Sequence, residues 1–183
     1  MKVAVCDYGA GNVRSVLAAF RRLGVDVAST REPADVLGAD LAVLPGVGSA
    51  ASALAGLCAA GLDEALRQRV EAGGPTLGIC LGLQLALEET EEDGGVRGLG
   101  LLPGRAVRLR SGRVPRIGWA RVEPGGDAFY FAHSYAAETE AATATSEGVV
   151  AIARAGSFLG VQFHPEKSGP AGARFLEQCL SRA

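Results

Sequence analysis

Thr76-Leu77-Gly78-Ile79-Cys80-Leu81-Gly82-Leu83-Gln84 joins an apolar run to a helix-compatible segment with no loop between them. The apolar run follows Pro75 and is typical of a buried strand, and residues 81–89 are compatible with a helix. Cys80 stands at the junction with a glycine two positions away on either side. This is the G-x-nucleophile-x-G pattern of a nucleophile elbow, with Cys in place of Ser. The pattern predicts a sulfur at the tip of a tight turn, facing a helix N-terminus whose dipole favours thiolate over thiol.

Cys80 also has a simpler interpretation, because most free cysteines are buried structural residues in apolar surroundings. The sequence around the elbow helps to decide between a catalytic and a structural cysteine. In the first half of the chain, continuous apolar strands alternate with helices. Before the elbow strand, strands are predicted at residues 2–7, 25–29 and 40–44, and helices at residues 13–23 and 62–72.

This alternation indicates a mainly parallel sheet with helices on both faces, which is the three-layer sandwich of an α/β protein. In such sheets, ligands bind at the carboxyl ends of the strands. The loop that begins at Asp7, the loop that begins at Pro45 and Cys80 all fall at that edge. Their agreement favours a catalytic role for Cys80.

The second half of the chain has a different pattern. The acidic run at residues 88–93 predicts a solvated loop, and residues 170–180 predict a closing helix. Between them, Gly- and Pro-containing turns separate several short β-like segments, which predict mainly antiparallel additions to the sheet. With no internal repeat or linker, we expect a single domain over residues 1–183. The β-like segments are residues 106–109, 119–122, 129–133, 141–145, 149–155 and 158–163.

Composition excludes several classes of function. The formal net charge is -2 over 183 residues and there is no run of Lys or Arg, which argues against nucleic-acid or anionic-membrane binding. Four widely spaced cysteines without a C-x-x-C pair favour a reducing compartment and predict no metal site. We expect a cytoplasmic protein that needs no cofactor. The chain starts on a strand-like run, so no signal peptide is predicted.

Two segments could be mistaken for a membrane span and for a dinucleotide-binding loop. Residues 41–62 carry no charge and are long enough to span a bilayer, but Pro45-Gly46 interrupts them. A strand, a glycine loop and a helix of small residues explain this segment better than a membrane span. The loop with Gly9 and Gly11 lacks the third glycine and the later acidic residue of a dinucleotide-binding fingerprint, so nucleotide binding is not predicted.

The chain has two histidines that could assist Cys80. His164 ends a predicted strand and precedes Pro165, which favours an extended conformation for His164. Side chains two apart on an extended chain point to one side, so His164 and Glu166 are expected to project together as a base and its orienting carboxylate. A strand-end histidine beside an exposed glutamate is the alternative. His133 has no acidic neighbour at short range, which favours a structural or surface role.

The Cys80 segment and the His164-Pro165-Glu166 pair resemble the class I (triad) glutamine amidotransferases. Within that group, several segments look like the glutaminase subunits of imidazole glycerol phosphate synthase, in family order over essentially the whole chain. The chain departs from this resemblance at Leu83, Arg116 and Ala120, where the family usually has Met, His and Asn. The segments are Asp7-Tyr8-Gly9-Ala10-Gly11-Asn12, Leu44-Pro45-Gly46-Val47-Gly48, Gly98-Leu99-Gly100-Leu101-Leu102-Pro103-Gly104, His133-Ser134-Tyr135 and residues 160–168.

The resemblance implies the class I glutamine amidotransferase (flavodoxin-like) fold and a glutaminase reaction. Cys80 would be the nucleophile, His164 the base and Glu166 its orienter. The site residues that the resemblance implies further are Val47, Gly48 and Leu81 as oxyanion donors, and Gly46, Gln84, Ser134 and Tyr135 as glutamine-binding residues.

The resemblance also implies a heterodimer with a (β/α)₈-barrel cyclase subunit, which would receive the ammonia in histidine biosynthesis. Asn12, Trp119 and Lys167, with Tyr135, are the candidates for that interface. Taken alone, Trp119 would be a core aromatic and Lys167 a solvated charge. Two alternatives remain: a glutaminase for anthranilate or pyridoxal phosphate synthesis, which residues 7–12 and 45–48 argue against, and a non-catalytic regulatory subunit.

Overall fold

A computed structural model describes residues 1–9 and 12–183. Ala10 and Gly11 of the loop predicted after the first strand lie outside the described residues. The strands are β1 Lys2–Cys6, β2 Asp26–Thr30, β3 Leu41–Leu44, β4 Thr76–Ile79, β5 Glu89–Thr90, β6 Val96–Arg97, β7 Arg105–Arg108, β8 Arg116–Arg121, β9 Ala128–His133, β10 Tyr135–Glu138, β11 Ala142–Ser146, β12 Val149–Ala155 and β13 Phe158–Val161. The helices are α1 Val13–Arg22, α2 Pro33–Gly38, α3 Ala50–Ala59, α4 Leu62–Glu71, α5 Leu81–Ala86 and α6 Gly169–Leu180, with 3₁₀ turns at Glu92–Gly94 and Pro165–Lys167.

The central sheet has the strand order β11-β12-β13-β4-β3-β1-β2. Its members from β13 to β2 are parallel, and β12 and β11 add to it in the antiparallel sense. The predicted α/β fold with a mainly parallel sheet is therefore confirmed. In the register, Val161 of β13 lies beside Ile79 of β4. The residues that follow these two neighbouring strands, at 80 and after 161, consequently emerge at the same edge.

Not all strands of the second half join the central sheet, contrary to the sequence prediction. A separate sheet has the order β10-β7-β5-β6, and β8 pairs with β9 as a two-stranded antiparallel ribbon. Side chains of β9 explain the difference for the ribbon. Phe129 and Phe131 are buried. Phe129 stacks on Phe163 beyond the end of β13 and Phe131 contacts the same ring edge to face, so the ribbon packs across the carboxyl edge of the sheet instead of extending it.

The core lies on both faces of the central sheet, because apolar side chains alternate along each strand. On one face, Val3 and Val5 of β1 pack with α1 and α6. On the other face, Ala42 and Leu44 of β3 pack with α2, α3, α4 and α5. Helices on both faces of the sheet complete the three layers.

One helix prediction and one loop prediction need correction. The helix after Cys80 ends at Ala86, and β5 begins at Glu89, the last residue of the span predicted as helix. The acidic run is not simply solvated, because the carboxylates of Glu92 and Asp93 accept hydrogen bonds from the backbone N–H groups of Ala50 and Ala51, each at 3.0 Å. These carboxylates cap the first turn of α3, where the helix leaves N–H groups unpaired.

The uncharged segment at residues 41–62 forms β3, a loop and α3, as the sequence favours. No helix among the described residues is long and apolar enough to cross a membrane.

Candidate active site

The elbow places Cys80 in a backbone conformation that side chains rarely adopt. Cys80 has φ 53° and ψ -105°, between the end of β4 and the first residue of α5. Close packing around the turn requires glycine at two positions. A Cβ at Gly82 would collide with the Leu44 carbonyl oxygen, and one at Gly78 would lie 2.9 Å from the Gly82 backbone. The sequence thus forms the elbow by letting β4, α5 and the end of β3 approach one another.

The imidazole of His164 contacts the two other residues of the predicted triad. Its Nδ1 lies 2.8 Å from Oε1 of Glu166, and the Cys80 thiol is close enough to the ring to contribute to the pKa of His164. Burial lowers the pKa of His164, but the hydrogen bonds and charges of Cys80 and Glu166 outweigh burial and raise the pKa from 6.5 to about 9. The thiol of Cys80 and the carboxylate of Glu166 therefore favour the protonated form of the His164 imidazole.

The backbone conformation that brings Glu166 to His164 is not the continuous extended chain expected from the sequence. His164 is extended, with φ -101° and ψ 93°, as the following proline favours. Glu166, however, belongs to the 3₁₀ turn Pro165–Lys167 and not to a continuing strand. The turn brings the carboxylate back to Nδ1, and Oε2 of Glu166 is buried without a hydrogen-bond partner among the described residues.

Ser168 supports the histidine and was missed by the sequence analysis. Its hydroxyl donates to the carbonyl of His164 at 2.6 Å and accepts from the N–H of Tyr130 in β9 at 3.0 Å. The N–H of His164 also donates to the carbonyl of Tyr130 at 2.8 Å. These bonds tie the histidine backbone to the β8–β9 ribbon. A serine four residues after the histidine carries no sequence signal that would have revealed this role.

Gln84 and Tyr135 meet beside the elbow. The side chain of Gln84 is buried, although taken alone it would be predicted on a helix surface, and its Nε2 donates to the Tyr135 carbonyl at 2.8 Å. The same carbonyl lies 2.9 Å from Nδ1 of His133. Because a carbonyl only accepts, Nδ1 of His133 carries the proton. Burial and the nearby charges of Arg116 and His164, opposed by the bond to Tyr135, lower the pKa of His133 to about 4.

His133 therefore stays neutral at physiological pH. It is buried, so the surface role considered from the sequence is wrong. Its Nε2 has no hydrogen-bond partner among the described residues.

A cavity of about 330 Å³ opens directly over Cys80. Besides the nucleophile candidate, it is lined by the 46–48 loop, by Leu81 and Gln84, and by residues 132–135. The structure thus brings the predicted oxyanion and glutamine-binding residues to one cavity. Glu92 and Ile117 also line it, and neither was singled out from the sequence.

The 46–48 loop is held from both sides. The hydroxyl of Tyr8, after β1, donates to the Pro45 carbonyl at 2.6 Å. A Cβ at Gly46 would collide with Cβ of Leu81, so the loop lies directly on the start of α5. Gly48 has φ +105° and open space around its Cα, so glycine is required there for backbone conformation and not for space.

The predicted partner residues lie near this edge. Trp119 is 59% exposed, so it is not a core aromatic, and its ring contacts Tyr130 edge to face with centroids 6.2 Å apart. Lys167 is exposed, with Nζ 6.0 Å from the centre of the Tyr130 ring. Asn12 precedes α1 and lines a small crevice that includes His164 and Glu166.

Within the described part of the chain, no group of three or more His, Cys, Asp or Glu side chains could hold a metal ion. The elbow sulfur, an imidazole with raised pKa and a cavity over both can perform acyl transfer by nucleophilic attack.

Residues 4–183 match the family described as glutamine amidotransferase class-I, and the chain belongs to that family. A solved structure described as that of a glutamine amidotransferase superposes with a TM-score of 0.80 at 23% identity, over 98% of each chain, which supports the fold. The family resemblance predicted from the sequence is confirmed.

The curated relatives are similar to this chain within one group of the family, the imidazole glycerol phosphate synthases. The imidazole glycerol phosphate synthase subunit HisH of Symbiobacterium thermophilum is 45% identical over 193 residues, covering 96% of this chain and 91% of that protein. HisH of Methanothermobacter thermautotrophicus is 44% identical over 190 residues, covering 95% of each. The chloroplastic imidazole glycerol phosphate synthase hisHF of Arabidopsis thaliana is 41% identical over 97% of this chain, which corresponds to 34% of the plant protein.

Proposed function

We propose that this chain is the glutaminase subunit of an imidazole glycerol phosphate synthase, hydrolysing glutamine and supplying ammonia to a cyclase subunit. The observation that carries the proposal is the Cys80 sulfur at the elbow beneath a cavity of about 330 Å³, close enough to His164 to raise its pKa, with Oε1 of Glu166 2.8 Å from Nδ1 of the same imidazole. Similarity to HisH proteins over nearly the whole length supports the choice of pathway.

In the first half of the proposed reaction, the Cys80 thiolate attacks the side-chain amide carbon of glutamine and a carbon–sulfur bond forms. The carbon–nitrogen bond then breaks, and the imidazolium of His164 gives its proton to the leaving nitrogen, which departs as ammonia. Water next attacks the glutamyl thioester while His164 takes a proton from it. Glutamate leaves, and the thiolate–imidazolium pair is restored.

The tetrahedral intermediate needs hydrogen-bond donors for its oxyanion. The N–H of Leu81, directly after the nucleophile, is the first proposed donor, and Val47 or Gly48 in the facing loop is the second. Loss of one such donor typically reduces turnover by about 10²–10³. A loop with glycines at both 46 and 48 can rotate a peptide at low cost, so the supply of the second donor can depend on the partner.

The glutamine itself is proposed to lie along Gly46, Gln84, Ser134 and Tyr135, which line the cavity. The cavity has a size that suits an amino acid. Polar groups from α5 and from the 46–48 and 133–135 segments converge on this small volume. The unprotonated Nε2 of His133 provides one additional acceptor at this cavity.

The partner is proposed to be a (β/α)₈-barrel cyclase that covers the carboxyl edge. Among the described residues, five large apolar side chains are exposed: Met1, Leu37, Val47, Ile117 and Trp119. Val47 and Ile117 line the cavity over Cys80, and Trp119 follows on the same face of β8. Such a cluster beside a site that releases ammonia suits a covering protein. Asn12 and Lys167 would contribute polar contacts at its rim. The four free cysteines favour a reducing cytoplasm.

The test is Cys80→Ala in the complex reconstituted with a histidine-pathway cyclase. We expect glutamine hydrolysis to be abolished, while cyclase turnover with added ammonia continues, because only the ammonia supply is lost. Cys58→Ser, an exposed cysteine on α3, is the control and should keep both activities. Glutamine-dependent activity in Cys80→Ala, or equal turnover with a cyclase and with anthranilate or pyridoxal phosphate synthase subunits, would overturn the proposal.

A further inference from the structure

Gln162 is a buried side chain without a part in the reaction described above. It follows β13, two residues before His164, and none of its surface is exposed. Its backbone N–H donates to the Ala151 carbonyl in β12 at 2.9 Å, so the central sheet fixes its position. A carboxamide buried at this depth needs partners for both its oxygen and its nitrogen.

The partners of Gln162 fix the orientation of its carboxamide. The Tyr135 carbonyl only accepts hydrogen bonds, so the atom of Gln84 that lies 2.8 Å from it must be the nitrogen. The same nitrogen lies 3.2 Å from the carboxamide of Gln162, which must therefore present its oxygen. The nitrogen of Gln162 is left facing Sγ of Cys80, at 3.6 Å. A backbone carbonyl thus determines, through two side chains, that the sulfur receives an N–H donor.

We propose that Gln162 is a positioning residue for Cys80, which donates a hydrogen bond to the sulfur, keeps it beside His164 and favours its thiolate form. This inference rests on the proposed function, in which Cys80 is the nucleophile. A hydrogen bond to a charged acceptor is stronger than one to a neutral acceptor, and a buried environment increases the difference. The donor therefore stabilises the thiolate more than the thiol.

The chain of hydrogen bonds also connects the sulfur to the segment proposed to hold glutamine. Tyr135 supplies the terminal carbonyl, and both Tyr135 and Gln84 line the cavity. A substrate that displaces the Tyr135 carbonyl would release Gln84, and with it the constraint on the orientation of Gln162. Occupation of the cavity and the state of the nucleophile are coupled through these two carboxamides.

The test measures the rate of alkylation of Cys80 by iodoacetamide against pH, in a Cys58→Ser background. Cys58 is the one exposed cysteine of the described residues, and burial raises the pKa of Cys6 and of Cys179 to about 12, so these two thiols compete little. Gln162→Leu removes the donor, and Gln162→Glu replaces it with an acceptor of the same shape. We expect the midpoint of the alkylation profile to rise by roughly one pH unit in Gln162→Leu and further in Gln162→Glu.

Thr76→Val is the matched control. It removes a buried side-chain hydrogen bond, to the Gly74 carbonyl, at the opposite end of the strand that leads to Cys80, and should leave the midpoint unchanged. Unchanged midpoints in both Gln162 variants would overturn the inference even if their glutamine hydrolysis fell. Failure of the proposed function would instead appear as hydrolysis persisting in Cys80→Ala, which the alkylation profile does not measure.

A second measurement covers the case in which a Gln162 variant does not fold. In the unaltered chain, the side-chain amide resonances of Gln162 should shift with pH at the alkylation midpoint, and this shift should disappear in Cys80→Ala. If these resonances do not shift when Cys80 ionises, the inference is overturned without any substitution at Gln162.

Discussion

His164 binds its proton more tightly than a free histidine. Burial opposes the charge, but contacts with Cys80 and Glu166 outweigh it and raise the pKa from 6.5 to about 9. Between these two values the folded chain holds a proton that the unfolded chain has lost. The stability that this proton contributes is complete below pH 6.5 and is lost as pH rises through about 9. Over the same range, the imidazolium is available for its proposed role as the acid that protonates the leaving nitrogen.

We therefore expect glutaminase kcat/KM to decline about tenfold per pH unit above pH 9, the titration expected when one essential acid is lost. Glu166→Gln removes one of the contacts that raise the pKa of His164, so the alkaline limb should move to lower pH. Profiles of kcat/KM against pH for both proteins measure the effect. An alkaline limb that stays in place in Glu166→Gln would show that another group controls it.

The backbone of Cys80 predicts an unusual order of stability between two substitutions. At ordinary positions Ala is more stable than Gly by about 0.5–1 kcal/mol. At φ 53° and ψ -105° the order should reverse, because a side chain here costs about 1–3 kcal/mol and glycine does not incur this cost. We expect Cys80→Gly to exceed Cys80→Ala in free energy of unfolding by about 1 kcal/mol, measured by urea denaturation. Greater stability of the alanine variant would mean that the elbow is not strained.

At the scale of secondary-structure elements, the sequence predicted the parallel strands well because their signals are local. Apolar runs bounded by glycine gave β1, β3 and β4 within a residue or two, and the G-x-C-x-G spacing located the elbow. The ribbon of β8 and β9 and the sheet containing β7 were misplaced. Their positions depend on contacts between distant residues, such as Phe129 on Phe163, and no local pattern encodes those contacts.

Among the polar residues around Cys80, too, some could be identified from local sequence signals and others only from contacts between distant residues. Alternation along an extended chain places Gln162 and His164 on one side, so the rule that linked His164 to Glu166 could also have identified Gln162. Ser168 and Tyr8 act through hydrogen bonds to the backbone of distant segments, which sequence spacing does not reveal.

Substitution of either of two glycines in the loop after β3 should lower glutaminase activity, for a different structural reason in each case. Gly46→Ala places a Cβ against Leu81, and Gly48→Ala has space but imposes strain at φ +105°. Each should displace the proposed oxyanion donor and lower glutaminase kcat by about 10²–10³. Gly38→Ala, with open space around it and no left-handed conformation, is the control and should keep full activity.

Alkylation of Cys80 distinguishes a displaced donor from a disrupted elbow, since alkylation needs the thiolate but not the oxyanion site. We expect both loop variants to be alkylated at the rate of the unaltered chain. If alkylation falls together with turnover, the loop supports the nucleophile itself and its role as an oxyanion donor is not needed to explain the loss.

At the scale of the whole molecule, the exposed apolar residues are unevenly distributed. Ile117 and Trp119 alternate outward on β8, exposed by 63% and 59%, and Val47 lies near them across the cavity. The pattern of β8 alone favoured a buried Trp119, because a sequence does not distinguish an apolar face that meets its own core from one that meets a partner. Val47 and Ile117 of this face line the cavity over Cys80, so a partner seated there would lie beside the site proposed to release ammonia.

Trp119→Ala should therefore weaken the complex with the cyclase subunit by tenfold or more, since a central interface aromatic typically contributes roughly 2 kcal/mol. Leu37→Ala is the matched control, because Leu37 is an apolar side chain, 44% exposed, on α2, away from the cavity. Titration of each variant with the cyclase, following binding by calorimetry, measures the difference. If both variants bind as the unaltered chain does, the β8 face is not the interface. If Leu37→Ala alone weakens binding, the partner lies on the α2 side, and ammonia released at Cys80 would have to cross solvent to reach it.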